Sequence, residues 1–343
     1  MKKAFSIFTL LLVTLVALAC SSAPDNAVLE DERWVTYAGD SGPGKGKNIV
    51  LISGDEEYRS EEALPMLAQI LAENFGFTAT VLFATDSVTG EIDANEQCHI
   101  PGLSNLETAD LMVISTRFRE LPAEAMQYVD AYLKAGKPVV GLRTATHAFH
   151  YSRNPDDPYA MYGFLSNVPG WEGGFGKVVL GETWVAHHGI HGEEGTRAVP
   201  ADGADSPILN GVSDIWVPTD VYTVGDLAGS TVLLLGKSTS GMTADAPHND
   251  EKEALPIAWT RQYQVPGGQE GKAFTTTMGA SIDFINEDLR RLFVNACLWA
   301  VGLDNEIPER ANVDYVTPYA PTMFGFDSFV KGKRPHDYKI PGK

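Results

Sequence analysis

Five acids fall within the eight residues Asp55, Glu56, Glu57, Tyr58, Arg59, Ser60, Glu61 and Glu62. Crowded carboxylates resist ionisation unless a cation or a ligand hydroxyl uses them. Arg59 supplies one neutralising charge inside the run. The run equally suits a solvated loop entering a helix, because acids stabilise a helix N-terminus. If it is a site, Glu57 is the candidate general acid or base, and Arg59 would hold a keto or anionic oxygen. Asp55 and Tyr58 would contact substrate.

Two histidine groups follow. The stretch Gly141, Leu142, Arg143, Thr144, Ala145, Thr146, His147, Ala148, Phe149, His150 reads as a strand-to-helix elbow, where α/β enzymes often place a nucleophile. Amidotransferases of glutamine carry a Cys at such a turn. This chain has Arg143 and Thr144 there, so thiolate chemistry is excluded at the elbow. His147 is a candidate acid or base, His150 a substrate contact, and Arg143 and Thr144 candidate catalytic groups. Core or capping histidines are the alternative. The second group, His187, His188 and His191, has the composition of a metal site, with zinc as the first candidate, or of a polar loop. His187 and His188 would point to opposite faces of a strand, so both ligate only if the backbone turns.

These residues need elements to place them. Residues 48–54 form a short apolar run ending at Gly54, the pattern of a strand buried on both faces. Further runs at 80–84, 111–115 and 138–142 predict three more strands. A stripe from Leu64 to Ala72, stopped by Gly76, predicts one helix, and residues 122–135 predict another. Strands interleaved with helices predict an α/β fold with a doubly wound, mostly parallel sheet. In such sheets the site lies at the carboxyl ends of the strands, so the segments after Gly54, Ser115 and Leu142 carry the expectation. Strands are also expected at 177–180, 183–186, 232–235, 256–259 and 273–277, with a helix at 289–301.

The chain of 343 residues carries 26 Lys+Arg against 45 Asp+Glu, a formal charge of −19, which argues against a nucleic-acid surface. Its 3 Cys are too few for a disulfide scaffold, although export would permit a Cys98–Cys297 bridge. Lys2 and Lys3 precede an apolar run, and residues 1–19 read as a signal peptide. Cys20, followed by Ser21 and Ser22, resembles a lipobox cysteine, which would be lipidated and hold an exported protein in the bilayer of the cell envelope. Residues 20–46 then form a tether and entry segment, 47–302 the α/β domain, and 303–343 an extended tail packed on the body.

Several ordered motifs resemble the ThuA-like (trehalose utilisation) family: Glu57 to Glu61, Gly141 to Phe149, Ser206 to Val212, Leu255 to Arg261, Phe274 to Ala280 and Arg291 to Trp299. The tail motif Phe324, Gly325, Phe326 resembles that of secreted lipoprotein members. The resemblance implies a flavodoxin-like, class I glutamine-amidotransferase-like fold. It implies work on trehalose or related glucosides beside a sugar oxidoreductase, with 3-keto-glycosides as intermediates. Ser60 and Ala280 stand where the family often has His, and Arg143 where a His or small residue is expected. Three readings follow: an envelope-anchored enzyme acting on a glucoside, disaccharide or 3-keto-glycoside; a non-catalytic sugar- or glycan-binding lipoprotein; and a metal-dependent hydrolase using His187, His188 and His191.

Overall fold

The computed structural model describes residues 32–342. The signal run, Cys20 and the first part of the tether lie outside these residues. Strand β1 (Trp34–Ala38) precedes β2 (Asn48–Gly54), helix α1 (Ser60–Phe75) and β3 (Thr78–Phe83). Next come β4 (Leu111–Thr116), α2 (Ala123–Lys134) and β5 (Val139–Leu142). A long irregular stretch leads to β6 (Gly195–Pro200), β7 (Trp216–Val217), β8 (Ser230–Thr239), β9 (Leu255–Gln264), β10 (Glu270–Thr276) and α3 (Glu287–Ala300).

All ten strands join one sheet in the order β1-β3-β2-β4-β5-β10-β9-β8-β6-β7. The pairs β2–β3, β2–β4, β4–β5 and β5–β10 are parallel. The remaining pairs are antiparallel, so the sheet is mixed rather than mostly parallel. The reason lies in the connections. Parallel neighbours need a long crossover, whereas β9 reaches β10 through a short turn containing Pro266 and Gly267 and can only pair antiparallel. Strands β6 and β7 escaped the sequence reading because Gly195 to Pro200 shows no apolar alternation.

Helices α1 and α3 pack on one face of the sheet through Leu64, Leu67, Leu71, Leu292 and Phe293. Helix α2 covers the other face with Met126, Val129 and Leu133. Gly76 ends α1 in the left-handed region (φ 80), as its position predicts. Thirteen of the 16 residues of α1 are buried, more than an amphipathic stripe supplies. The C-terminal segment accounts for the difference: Thr317 donates to Gln69, Thr322 to Glu62, and Gln69 donates to the Tyr338 carbonyl at 3.3 Å.

Two predicted strands are absent. Residues 176–180 form a single wide helical turn, closed by Gly181 at φ 100 and held by the Trp259 indole N–H on the Leu180 carbonyl at 2.7 Å. Residues 183–186 run irregularly to one isolated bridge, His187 to Tyr222. Cys297 is a free thiol in α3, so the bridge to Cys98 is not made. Burial raises its pKa well above that of a free thiol, so it packs as a small apolar group.

Candidate functional site

The loops after β2, β4 and β5 meet at the carboxyl edge of the sheet, where the chain turns to opposite sides of β2. Asp55 organises this meeting. Its Oδ1 accepts the backbone N–H groups of Glu57 (2.8 Å) and Tyr58 (2.9 Å), and its Oδ2 accepts the Thr144 hydroxyl. One carboxylate therefore ties the first loop to the elbow. Glu56 ties the first loop to the segment after β4 by pairing with Arg117 and, at 2.6 Å, with buried Arg119.

Backbone strain gathers here. Among the described residues, the non-glycines with positive φ are Arg59 (60°), Phe118 (54°), Arg143 (41°) and Asp327 (56°). The first three follow β2, β4 and β5, and the fourth lies in the tail beside them. Each left-handed non-glycine costs about 1–3 kcal/mol and persists only where its surroundings fix it, which happens most often at functional sites. Gly279, after β10, has φ 145, and a Cβ there would sit 3.1 Å from that of Leu142, so glycine is required beside the elbow.

Arg143 is 1% exposed. Its guanidinium donates to Asp220 Oδ1 (2.9 Å), to the carbonyls of Thr277 (2.7 Å) and Asp220 (3.1 Å), and to the Tyr58 hydroxyl (3.2 Å). The rings of Tyr58 and Tyr222 sandwich it at 4.3 and 4.2 Å. It braces the site from beneath.

Asp220 is the hub above it. Oδ2 accepts from His187 Nδ1 at 2.7 Å, and Oδ1 lies 3.2 Å from His191 Nδ1. The other nitrogen of His191 lies 3.1 Å from Glu57 Oε1. His191 therefore spans two carboxylates. Its hydrogen bonds to Asp220 and Glu57 outweigh partial burial and raise its pKa to about 9, so it is an imidazolium at neutral pH. Burial pushes the Asp220 carboxyl up, but the bonds from His187 and His191 and the charge of Arg143 hold it well below the usual carboxylate range. Glu57 behaves likewise, burial being outweighed by His191 and Arg117.

His147 is the opposite case. It is buried, and its Nδ1 lies 3.1 Å from the Thr146 hydroxyl. Burial, aided by the charges of Arg117, Arg143 and His187, lowers its pKa well below the ordinary value. A neutral imidazole and an imidazolium thus belong to one cluster, linked through Trp184 and His187, and environments that push two pKa values apart are how a site separates a base from an acid.

Aromatic rings surround these groups. Phe118 touches His147 (5.1 Å), Phe164 (5.0 Å) and His150 (5.5 Å). Trp184 lies against His147 (5.6 Å) and His187 (5.9 Å), His187 against His191 (4.8 Å), and His191 against Phe324 (5.3 Å). Arg117 closes the circuit, stacked on Phe118 at 4.3 Å and on Phe326 at 5.1 Å.

Of the residues expected from sequence, Asp55, Glu57, Tyr58, Arg143, Thr144, His147, His187 and His191 come together, and His150 sits at the aromatic edge. Arg59 is buried and spent on the carbonyls of Glu56, Glu57 and Gly325 and on the Ser328 hydroxyl. His188 turns away, its Nε2 3.0 Å from the Glu253 carbonyl. Ser60 bonds Ser53 at 2.8 Å within the interior, and the Ala280 N–H donates to Asp283 at 3.0 Å. Sequence reasoning missed Asp220, Arg117, Phe118 and Phe164. The strand-end rule pointed at Arg117 and Phe118 through Ser115, but nothing near Asp220 signalled its role. His187, His191 and Asp220 present ligand atoms within 4.8 Å of one another, a donor set that suits zinc.

Fold and site define an α/β protein with a polar cluster of histidines and carboxylates, packed among aromatic rings, at the carboxyl edge of its sheet. The chain belongs to the ThuA family, described as trehalose utilisation, whose model matches residues 48–300. No curated protein sequence matches it. A ThuA-like protein from Parabacteroides merdae ATCC 43184 is similar at 18% identity, covering 86% of this chain and 100% of its own, with a TM-score of 0.46. One from Bacteroides uniformis ATCC 8492 is similar at 13% identity, covering 80% and 98%, with a TM-score of 0.45. At these scores neither adds to the family assignment.

Proposed function

We propose that this protein is an exported, envelope-anchored enzyme of carbohydrate utilisation acting on a glucoside, a disaccharide or a 3-keto-glycoside. Family membership supports trehalose utilisation. The parallel order β3-β2-β4-β5-β10 supports a flavodoxin-like, amidotransferase-like reading of the sheet. Anchorage through Cys20 and a sugar oxidoreductase as pathway partner rest on the sequence reading alone.

The observation that carries the proposal is His191 held between Glu57 and Asp220, in one cluster with neutral His147. In this reading His191 donates a proton to the departing glycosidic oxygen. His147 accepts one from a water that attacks the anomeric carbon, or, in a 3-keto-glycoside, from the carbon beside the ketone, whose electron pair forms the C=C bond as the glycosidic bond breaks. Arg117, 3.8 Å from Glu57, offers its cation to a keto oxygen. Aromatic rings suit the CH faces of a sugar, while the charged floor suits its hydroxyls. Incubating the protein with trehalose and 3-keto-trehalose, with products followed by NMR, tests this. The expected result is cleavage of at least one. Tight binding with no product favours the non-catalytic reading.

The metal-dependent hydrolase is a second reading, favoured by the convergence of His187, His191 and Asp220. Stoichiometric zinc lost on His191→Ala and kept on His188→Ala supports it. A metal-free active preparation ends it.

A further inference from the structure

We infer that the C-terminal strap, residues 322–328, builds a subsite for the second ring of a disaccharide, with Phe326 as its stacking platform. This rests on the carbohydrate reading above and deepens it.

The strap lies beyond the family-matched stretch, which ends at residue 300. It is nevertheless built into the site. The Gly325 N–H donates to the Glu57 carbonyl at 2.8 Å, and Thr322 donates twice to Glu62 at 2.7 Å. Arg59 grips the Gly325 carbonyl and the Ser328 hydroxyl from below. Asp327, strained at φ 56, accepts from Asn95 at 3.0 Å. A free tail has no reason to hold a left-handed aspartate or to occupy a buried arginine.

These anchors send two rings in different directions. Phe324 turns inward, 5.5 Å from Tyr58 and 5.3 Å from His191. Phe326 stays 55% exposed and stacks on Arg117, whose other partner is Phe118. Arg117 in turn reaches Glu57 and Glu56. The Phe326 ring is therefore one side chain, Arg117, from Glu57 of the Glu57–His191 pair. A ring held open next to a charged group matches a sugar's mixture of apolar faces and hydroxyls. A sugar seated at His191 would leave its neighbouring ring at this platform.

Calorimetry of the full chain with trehalose and with glucose tests the assignment. Phe326→Ala should weaken trehalose binding about fivefold to tenfold and leave glucose binding unchanged. Phe326→Tyr should restore it. The melting temperature should not move, because the ring is exposed. Unchanged trehalose affinity in Phe326→Ala, with wild type binding trehalose, overturns the subsite and leaves the carbohydrate reading standing. Equal losses for both sugars also overturn it. Wild type binding neither sugar overturns the subsite and confines the carbohydrate reading to 3-keto-glycosides and other glucosides.

Discussion

The Arg143 guanidinium and the Asp220 carboxylate meet at 2.9 Å with both side chains fully buried. Removing one partner of such a pair strands the other and costs about 3–5 kcal/mol. Arg143→Ala should therefore lower unfolding free energy by about that amount in urea titrations. It should also disorder His187 and His191, since Asp220 orients both. Arg143→Lys should rescue little, because an ammonium cannot serve two carbonyls, a carboxylate and two ring faces together. Wild-type stability in Arg143→Ala would show that the brace is dispensable.

His191 makes stability depend on pH in a defined direction. Its folded pKa, about 9, lies above the ordinary value of 6.5. Its contribution is fully present below about pH 6.5 and is lost as pH rises through about 9. The wild-type melting temperature should thus fall between these limits more steeply than that of His191→Gln. Parallel curves for the two proteins would contradict the pairing.

Glu61 predicts a gain. Both of its carboxylate oxygens are buried without a hydrogen-bond partner. Burial raises its pKa to about 8, from the ordinary 4.5, so the folded state resists ionisation while the unfolded chain ionises freely. Its presence costs stability increasingly as pH climbs from about 4.5 to 8. Glu61→Met should stabilise by about 1–3 kcal/mol at pH 7, and by less at pH 5. Chemical denaturation at the two pH values gives the comparison.

The strap's anchorage is testable by protease. Ser328→Ala removes one acceptor from Arg59, a bond worth about 1.5–3 kcal/mol when charge-assisted. Trypsin should then cut at Lys331 and Lys333 several times faster than in wild type, with the family-matched body intact. Equal cutting rates would mean that the Arg59–Ser328 bond does not hold the strap.

The parallel centre of the sheet was legible because β2, β4 and β5 are buried on both faces and read as unbroken apolar runs. The antiparallel half was not. Gly195 to Pro200 carries no alternation, and Val178 and Val179 look like strand although Gly181 permits a helical turn. At the site, strand-end geography found Asp55, Glu57, Arg143 and His147 without any contact information. Asp220 was invisible because its partners lie far away in sequence, at residues 143, 187 and 191. Arg59 looked catalytic by its neighbours, yet its backbone twist turns it into the interior. Which of two adjacent histidines joins Asp220 depended on the irregular chain at 187–191, which alternation cannot resolve.

The most direct test is steady-state turnover of 3-keto-trehalose by wild type, Glu57→Gln, His191→Gln and the double variant. If His191 is the proton donor set by Glu57, each single change lowers kcat/KM by about 10²–10⁴, and the double change is little worse than either. Turnover within a few-fold of wild type in His191→Gln would contradict the account.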